Sequence, residues 1–275
     1  MLGKFTELAP AKINLFLKIL NKRYDNYYNI RSGITFINLF DEIKIEESSS
    51  FKVTYLGKFS PQNKSFNDCI IKKMFKIFSI KKPNYNFIIK KNIPIQSGLG
   101  SASSDAAAVF RLLEKLNIYK IKSKEDLVVL GSDLPSFFNQ RDCLIRGKGD
   151  KISNLLFPKY FFLLVKPNLN CNTKKMYNLV NNQDLKNNFS EDTEQINEFD
   201  YGNDFENIIN QSSNEIIQIL SFLRGLKKVI FSNLTGSGSC CYAAFENKNH
   251  AIKAKSEFNK NFPKLWSYIG ENNFE

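Results

Sequence analysis

The sequence predicts an α+β protein in two parts, segments 1–157 and 158–275, and three observations carry that prediction. Residues 11–20 alternate apolar and polar side chains with the period of a strand. Phe66, Ile70, Ile71, Met74, Phe75 and Phe78 instead recur at helical spacing. Strand and helix patterns then resume after residue 157, without an internal repeat. In the first strand Ile13, Leu15, Leu17 and Ile19 share one face, which leaves Lys12, Asn14, Phe16 and Lys18 on the other. Lys12 and Asn14 therefore project side by side. Residues 34–38 and 41–47 follow as extended segments, with 51–56 as a hairpin partner and 85–89 as a further strand. Residues 93–108 read as a strand end, a loop of small residues and the opening of a helix that continues through Phe110, Leu113 and Leu116. A short helix is expected over 124–130, with strands at 143–146 and 160–165. The second part is expected to hold a short helix from Thr173 and a polar, acid-rich loop over 181–200. A helix capped by the polar residues of Asn203-Asp204-Phe205-Glu206 follows, then strands at 229–231 and 241–245 and a last helix over 249–258.

Composition narrows the chemistry. The 275 residues are 43% apolar, with 25 Phe and 11 Tyr, enough for a buried core. No apolar run approaches the roughly 20 residues that span a bilayer, and residues 13–20 are interrupted by Asn14 and Lys18, unlike a signal peptide. A soluble, cytoplasmic protein is expected. Five cysteines (Cys69, Cys143, Cys171, Cys240, Cys241) form no C-x-x-C pair and suggest no disulfide framework. One histidine, His250, leaves little scope for zinc clusters or Ser-His-Asp catalysis. The chemistry falls to Lys, Asp, Glu, Ser, Tyr and backbone amides. A net charge of +12 invites a polyanionic partner, but only six of the 39 basic residues are Arg. The abundance of Lys, Asn, Ile and Phe also fits an AT-rich genome, so charge alone decides nothing.

Three features bear on function, and each has a plainer reading. The loop over 96–104 has glycine turns that aim N–H groups inward, with a helix N-terminus behind them, which suits a phosphate. It matches neither a Walker A ending nor a dinucleotide fingerprint. A Ser-capped helix after a glycine turn would look the same. Lys12 is either a solvated edge charge or an inward-facing cation beside Asn14. Asp133, before Leu134-Pro135, is either a turn residue or a base. The Gly236–Gly238 turn either faces a phosphate or joins two strands.

Taken in order, Ala9-Pro10-Ala11-Lys12-Ile13-Asn14-Leu15-Phe16-Leu17, Pro94 through Ala107, Gly131 through Pro135, Asn203 through Glu206 and Thr235 through Gly238 resemble the GHMP kinase family of small-molecule kinases. The matching stretches span nearly the whole chain, and the first is the discriminating one. The resemblance implies an N-terminal ribosomal-protein-like α/β domain, a C-terminal ferredoxin-like domain and an active site in the cleft between them. It implies ATP as phosphoryl donor, with Mg²⁺ brought by the nucleotide and no dedicated metal residues. Pro94-Ile95-Gln96-Ser97-Gly98-Leu99-Gly100-Ser101-Ala102-Ser103-Ser104 would form the phosphate loop. Asp133 would accept the proton of the substrate hydroxyl, and Lys12 would polarise that hydroxyl and keep the paired Asp133 ionised. The pattern is most similar to members whose alcohol carries a cytidine diphosphate. Asn14, Thr173 and the Gly236-Ser237-Gly238 turn would then contact substrate, and Tyr27 and Tyr177 would sandwich the base. Tyr28 stands where such members carry His. The implied partner is a small molecule, not a nucleic acid or a membrane, bound by a monomer or homodimer. Two rival readings are a family member acting on another alcohol, such as homoserine or mevalonate, and an RNA-binding protein with steeply salt-dependent affinity.

Overall fold

The computed structural model describes residues 5–61, 69–123, 125–180, 201–211 and 213–273. Contacts divide the chain into two compact units that are not consecutive halves. The first comprises the chain up to Ala11, Leu39–Ile95 and Gly100–Arg141; the second comprises Lys12–Asn38, Gln96–Leu99 and the chain from Asp142 onward. Two long strands cause the interleaving. β1 (Phe5–Lys22) starts in the first unit and ends in the second, and β2 (Tyr28–Glu47) does the reverse. The two extended segments expected at 34–38 and 41–47 are thus parts of one strand of 20 residues. Its run of Ile, Phe and Thr suits a pleated surface, and no Pro interrupts it. Residue 157 lies in the link between β6 (Lys151–Asn154) and β7 (Phe161–Lys166), within the second unit.

In the first unit, Glu42–Glu47 of β2 pairs antiparallel with β4 (Tyr85–Lys90), and β3 (Lys52–Leu56) pairs parallel with β4. Residues 51–56 are therefore not the hairpin partner of β2. A parallel pair needs a crossover, and α1 (Ile70–Ile77) supplies it. The α1 face made by Ile71, Met74 and Phe75 joins a core with Phe87 and Ile89 of β4 and with Val109, Phe110 and Leu113 of α2 (Ser101–Lys115). Three consecutive alanines, Ala106–Ala108, are fully buried in α2, where small side chains permit close packing. Phe66 lies outside the described residues. The helix expected over 124–130 is a 3₁₀ turn, Glu125–Val129, with Lys124 outside the described residues, and α3 (Ser136–Asn139) follows.

In the second unit, β5 (Cys143–Gly147) pairs with Ile30–Ile34 of β2 and with β6. A separate antiparallel sheet has the order β10-β7-β9-β8, from β7, β8 (Phe231–Leu234), β9 (Cys241–Phe245) and β10 (Trp266–Glu271). β7 reaches β8 through α4 (Thr173–Asn178), α5 (Phe205–Asn210) and α6 (Asn214–Arg224); β9 reaches β10 through α7 (Lys248–Asn261). Two interlocked β-α-β crossovers in this order are the ferredoxin-like arrangement that the resemblance implies. Ile216, Ile219, Leu220 and Leu223 of α6 and Ala251, Ala254 and Phe258 of α7 recur every three or four residues and close over Leu163, Val165 and Ala243. β6 and β10 have no counterpart among the strands expected from the sequence, and β8 starts two residues later than expected. The acid-rich loop at 181–200 lies outside the described residues. Among the described residues no helix is long and apolar enough to cross a membrane.

Candidate active site

Alternation in β1 does not sort core from solvent, because residues 9–20 are buried on both faces. Lys12 is 2% exposed and Asn14 3%, so the inward reading of Lys12 holds and the edge-charge reading does not. As the alternation predicts, the two meet: Lys12 Nζ donates to Asn14 Oδ1. Asn14 Nδ2 donates to Ser32 Oγ at 2.8 Å, and its backbone N–H donates to Thr235 Oγ1 at 3.0 Å. The Thr235 hydroxyl also lies 3.4 Å from Asn14 Oδ1. Both ends of the Asn14 amide thus have protein partners, and its evident task is to hold the Lys12 ammonium.

Two glycine turns converge beside that ammonium. Gly236 has φ +54°, and a Cβ there would lie 3.0 Å from the Gly98 carbonyl oxygen and 3.2 Å from Lys12 Nζ. Gly98 has φ +78°, and a Cβ there would lie 2.1 Å from the Thr235 carbonyl oxygen. Only glycine permits this approach. Residues 96–99 are pinned by backbone bonds: Lys12 N–H to Leu99 O at 3.0 Å, Cys240 N–H to Ser97 O at 3.0 Å and Cys171 N–H to Gln96 O at 3.2 Å. The turn at 236–238 is held from outside by Asn203, whose Nδ2 donates to the carbonyls of Leu234 and Gly236, each at 2.8 Å. Asn203 Oδ1 meanwhile caps Phe205 N–H at 3.0 Å. Asp204, expected as a cap, instead accepts from Ile19 N–H at 2.8 Å and faces Lys18 Nζ at 3.8 Å.

The second half of the glycine loop is organised within the first unit. Gly100, at φ +74°, opens α2, and Ser104 Oγ donates to Pro10 O at 2.7 Å. Below this first turn lies a buried charge cluster with no warning in the sequence. Lys91 Nζ donates to Asp41, Asp105 and Ser101, while Asp41 Oδ1 accepts the N–H groups of Asn92 at 2.6 Å and Ile93 at 2.8 Å. Burial alone would lower the Lys91 pKa, but Asp105 and Asp41 hold it above the ordinary lysine value. Asp105 has one carboxyl oxygen, Oδ1, buried without a hydrogen-bond partner. Burial raises its pKa, the Lys91 ammonium opposes that and Asp41 adds to it, leaving it at about 7. Tyr55 is the other titratable group that feels this carboxyl. An unfolded Asp titrates near ~3.9, so this group favours the fold fully below about pH 4, and that contribution is lost as pH rises through about 7. Asp105→Asn keeps the neutral shape. From pH 5 to pH 8 the native protein is expected to lose stability relative to that variant, by on the order of 2–4 kcal/mol in urea denaturation. Parallel pH profiles would refute the assignment.

Asp133 is half-buried, and its carbonyl takes the turn role, accepting from Ser136 Oγ at 2.7 Å and Ser136 N–H at 3.2 Å. Its segment lies against the start of α2: a Cβ on Gly131 would be 3.2 Å from Ser103 Oγ. Among the aromatics, Tyr177 stacks on Tyr28, with centroids 5.6 Å apart and planes 19° apart, and meets Phe205 edge-on. Tyr27 is not brought to that pair; it is 51% exposed, with Lys148 Nζ 5.5 Å from its ring centre. Thr173 Oγ1 and Ser237 Oγ share a hydrogen bond of 2.9 Å, which joins two expected substrate contacts. Reading the sequence missed Thr235, Ser32 and the holding role of Asn203. Thr235 and Asn203 stand inside motifs already noticed, whereas Ser32 carries no local signal.

Comparison with known proteins bears on the family and the fold. The family models described as the GHMP kinases N terminal domain and GHMP kinases C terminal match residues 68–141 and 183–264. Three curated relatives are called 4-diphosphocytidyl-2-C-methyl-D-erythritol kinase. The one from Pelagibacter ubique is 32% identical, covering 96% of this chain and 98% of its own. That from Buchnera aphidicola is 31% identical over 94% and 92%, and that from Ehrlichia canis 29% over 91% and 92%. A crystal structure of 4-(cytidine 5'-diphospho)-2C-methyl-D-erythritol kinase shares the fold, with TM-score 0.78, 23% identity and coverage of 98% and 100%. The Methanococcus jannaschii mevalonate kinase is more distant, at TM-score 0.62 and 14% identity over 99% of both chains.

Proposed function

The chain belongs to the GHMP kinase family, and from that premise we propose that it transfers the γ-phosphoryl group of ATP to the 2-hydroxyl of 4-diphosphocytidyl-2-C-methyl-D-erythritol, giving the 2-phosphate and ADP for isoprenoid precursor synthesis. The observation that carries this reading is the buried Lys12 ammonium, placed by Asn14 beside the Gly98 and Gly236 turns. Phosphoryl transfer needs alignment and charge neutralisation more than covalent chemistry. The backbone amides of residues 96–104 and the start of α2 hold phosphate oxygens, Lys12 polarises the acceptor hydroxyl, and the Asp133 carboxylate takes its proton. Asn14 acts through Lys12. Among the described residues no three His, Cys, Asp or Glu groups converge on a metal position. A Mg²⁺ ion that arrives with ATP would therefore draw most of its ligands from phosphate and water, with its usual job of neutralising phosphate charge. We infer a cytoplasmic enzyme that acts on a small molecule as a monomer or homodimer.

The direct test is ADP release with ATP, Mg²⁺ and the cytidine substrate, beside homoserine and mevalonate. Turnover of the cytidine compound alone is expected. Turnover of another alcohol instead would keep the kinase and discard the cytidine assignment. Tyr177 supplies the ring for the base, so Tyr177→Ala is expected to raise KM for the cytidine substrate by about 5- to 150-fold, the equivalent of ~1–3 kcal/mol of stacking. An unchanged KM would remove Tyr177 from the base site.

A further inference from the structure

Arg31 and Arg146 stand directly opposite each other across the antiparallel β2–β5 pair. Opposed residues in such a pair point to the same face, with Cβ atoms about 5 Å apart. Like charges there are destabilising, and a charge taken out of water is normally paired. Neither condition is relieved among the described residues. Arg31 is 7% exposed, and among the described residues its side chain has no hydrogen bond, ion pair or ring contact. The Nε–H of Arg31 and that of Arg146 are both buried and unpartnered. Among the described residues no acidic group acts on Arg31: burial and the neighbouring Arg146 both lower its pKa. The nearest carboxylates along the chain are committed elsewhere: Asp142, four residues before Arg146, accepts from Thr35 Oγ1 at 2.7 Å and from Phe157 N–H at 3.1 Å. Asp25 pairs with Arg23 and faces Lys148, while Asp150 accepts the Lys148 backbone N–H. Lys151, opposite Arg146 on β6, extends the cationic row by one strand.

We propose that Arg31 and Arg146 form an anion site for a phosphate or diphosphate group. Two guanidinium forks offer paired N–H donors at fixed angles, which match the oxygens of a tetrahedral phosphate. Charge selects the same ligand, since a phosphate dianion neutralises both arginines and a single carboxylate only one. Tyr28, which stacks on Tyr177, lies three residues before Arg31 on β2, so alternation puts the arginine pair on the opposite face of the strand from that stack. The phosphate has two sources: free inorganic phosphate or pyrophosphate, or the diphosphate of the cytidine substrate. The second source rests on the function proposed above, and the first does not.

The test uses the full chain with pyrophosphate as probe, at constant ionic strength and with the glycine loop saturated by a non-hydrolysable ATP analogue. Thermal shift and calorimetry are expected to detect binding that weakens about 10-fold or more in both Arg31→Gln and Arg146→Gln. Arg31→Lys, which keeps the charge and loses the fork, is expected to weaken it as well and guards against misfolding of the first variant. Absence of pyrophosphate binding to the native protein, or equal affinity in the variants, overturns the site. The source follows from KM for the cytidine substrate. A rise in both variants assigns the site to the substrate diphosphate, while an unchanged KM with pyrophosphate binding lost assigns it to a free anion. The pyrophosphate measurement needs no catalysis, so it stands even if the chain phosphorylates a different alcohol.

Discussion

Asp133→Asn is expected to bind ATP as the native enzyme does and to lose about 10²–10⁴-fold in kcat, the range for removing a positioned general base. Asn preserves the size of the side chain and the Asp133 carbonyl that caps Ser136, so the local turn survives. What disappears is a carboxylate able to take the hydroxyl proton as the oxygen attacks. The assay is single-turnover ADP formation at saturating substrate, with nucleotide affinity measured separately by calorimetry. A variant within a few-fold of native kcat would show that the proton leaves by another route. A variant that loses ATP binding as well would point to a structural role instead.

Lys91→Met is expected to cost about 3–5 kcal/mol of stability, the scale for removing one partner of a buried ion pair. Lys91 is 2% exposed, and its ammonium is shared by Asp41 and Asp105, which are 0% and 2% exposed. Without it, two adjacent carboxyls remain in a dry site and must bind protons to persist there. The penalty is therefore expected to shrink at acid pH, and the urea midpoint of Lys91→Met to rise from pH 8 to pH 5. Adding Asp41→Asn and Asp105→Asn removes both stranded charges and is expected to recover part of the loss. Failure of the triple variant to recover anything would mean that the hydrogen bonds of Asp41 to Asn92 and Ile93, not the charges, hold this corner. Because Ser101 opens α2 and Asp105 follows one turn later, a loosened cluster should also raise KM for ATP.

Much of the fold was legible because its signals are local. Period-two alternation located β1 and placed Lys12 beside Asn14, and the start of α4 at Thr173 followed from sequence pattern. Pairing is not a local property. Residues 51–56 read correctly as a strand, but their partner β4 lies beyond a helix, so proximity in sequence suggested the wrong neighbour. The same limit applies to the site. The glycine loop announces itself through backbone conformation that only certain residues adopt. Lys91 and Asp41 are 50 residues apart, and nothing near either one signals the other. Arg31 and Arg146 become a pair only through the register of β2 with β5. Tyr28 stands where similar family members carry His, and beside Tyr177 it is one half of an aromatic stack.

The mutual approach of Gly98 and Gly236 also constrains how this gene can change. Every amino acid reachable from a glycine codon by one nucleotide carries a Cβ, alanine being the smallest. At position 98 even that methyl group would stand 2.1 Å from a carbonyl oxygen, and at position 236 it would press on both Gly98 and Lys12. Neither position has a neutral amino-acid neighbour in codon space, nor can one compensate for the other, since the nearest obstructing atom at each is a backbone carbonyl oxygen. In a chain otherwise rich in the residues of A- and T-heavy codons, these two sites should keep their paired guanines against the prevailing drift.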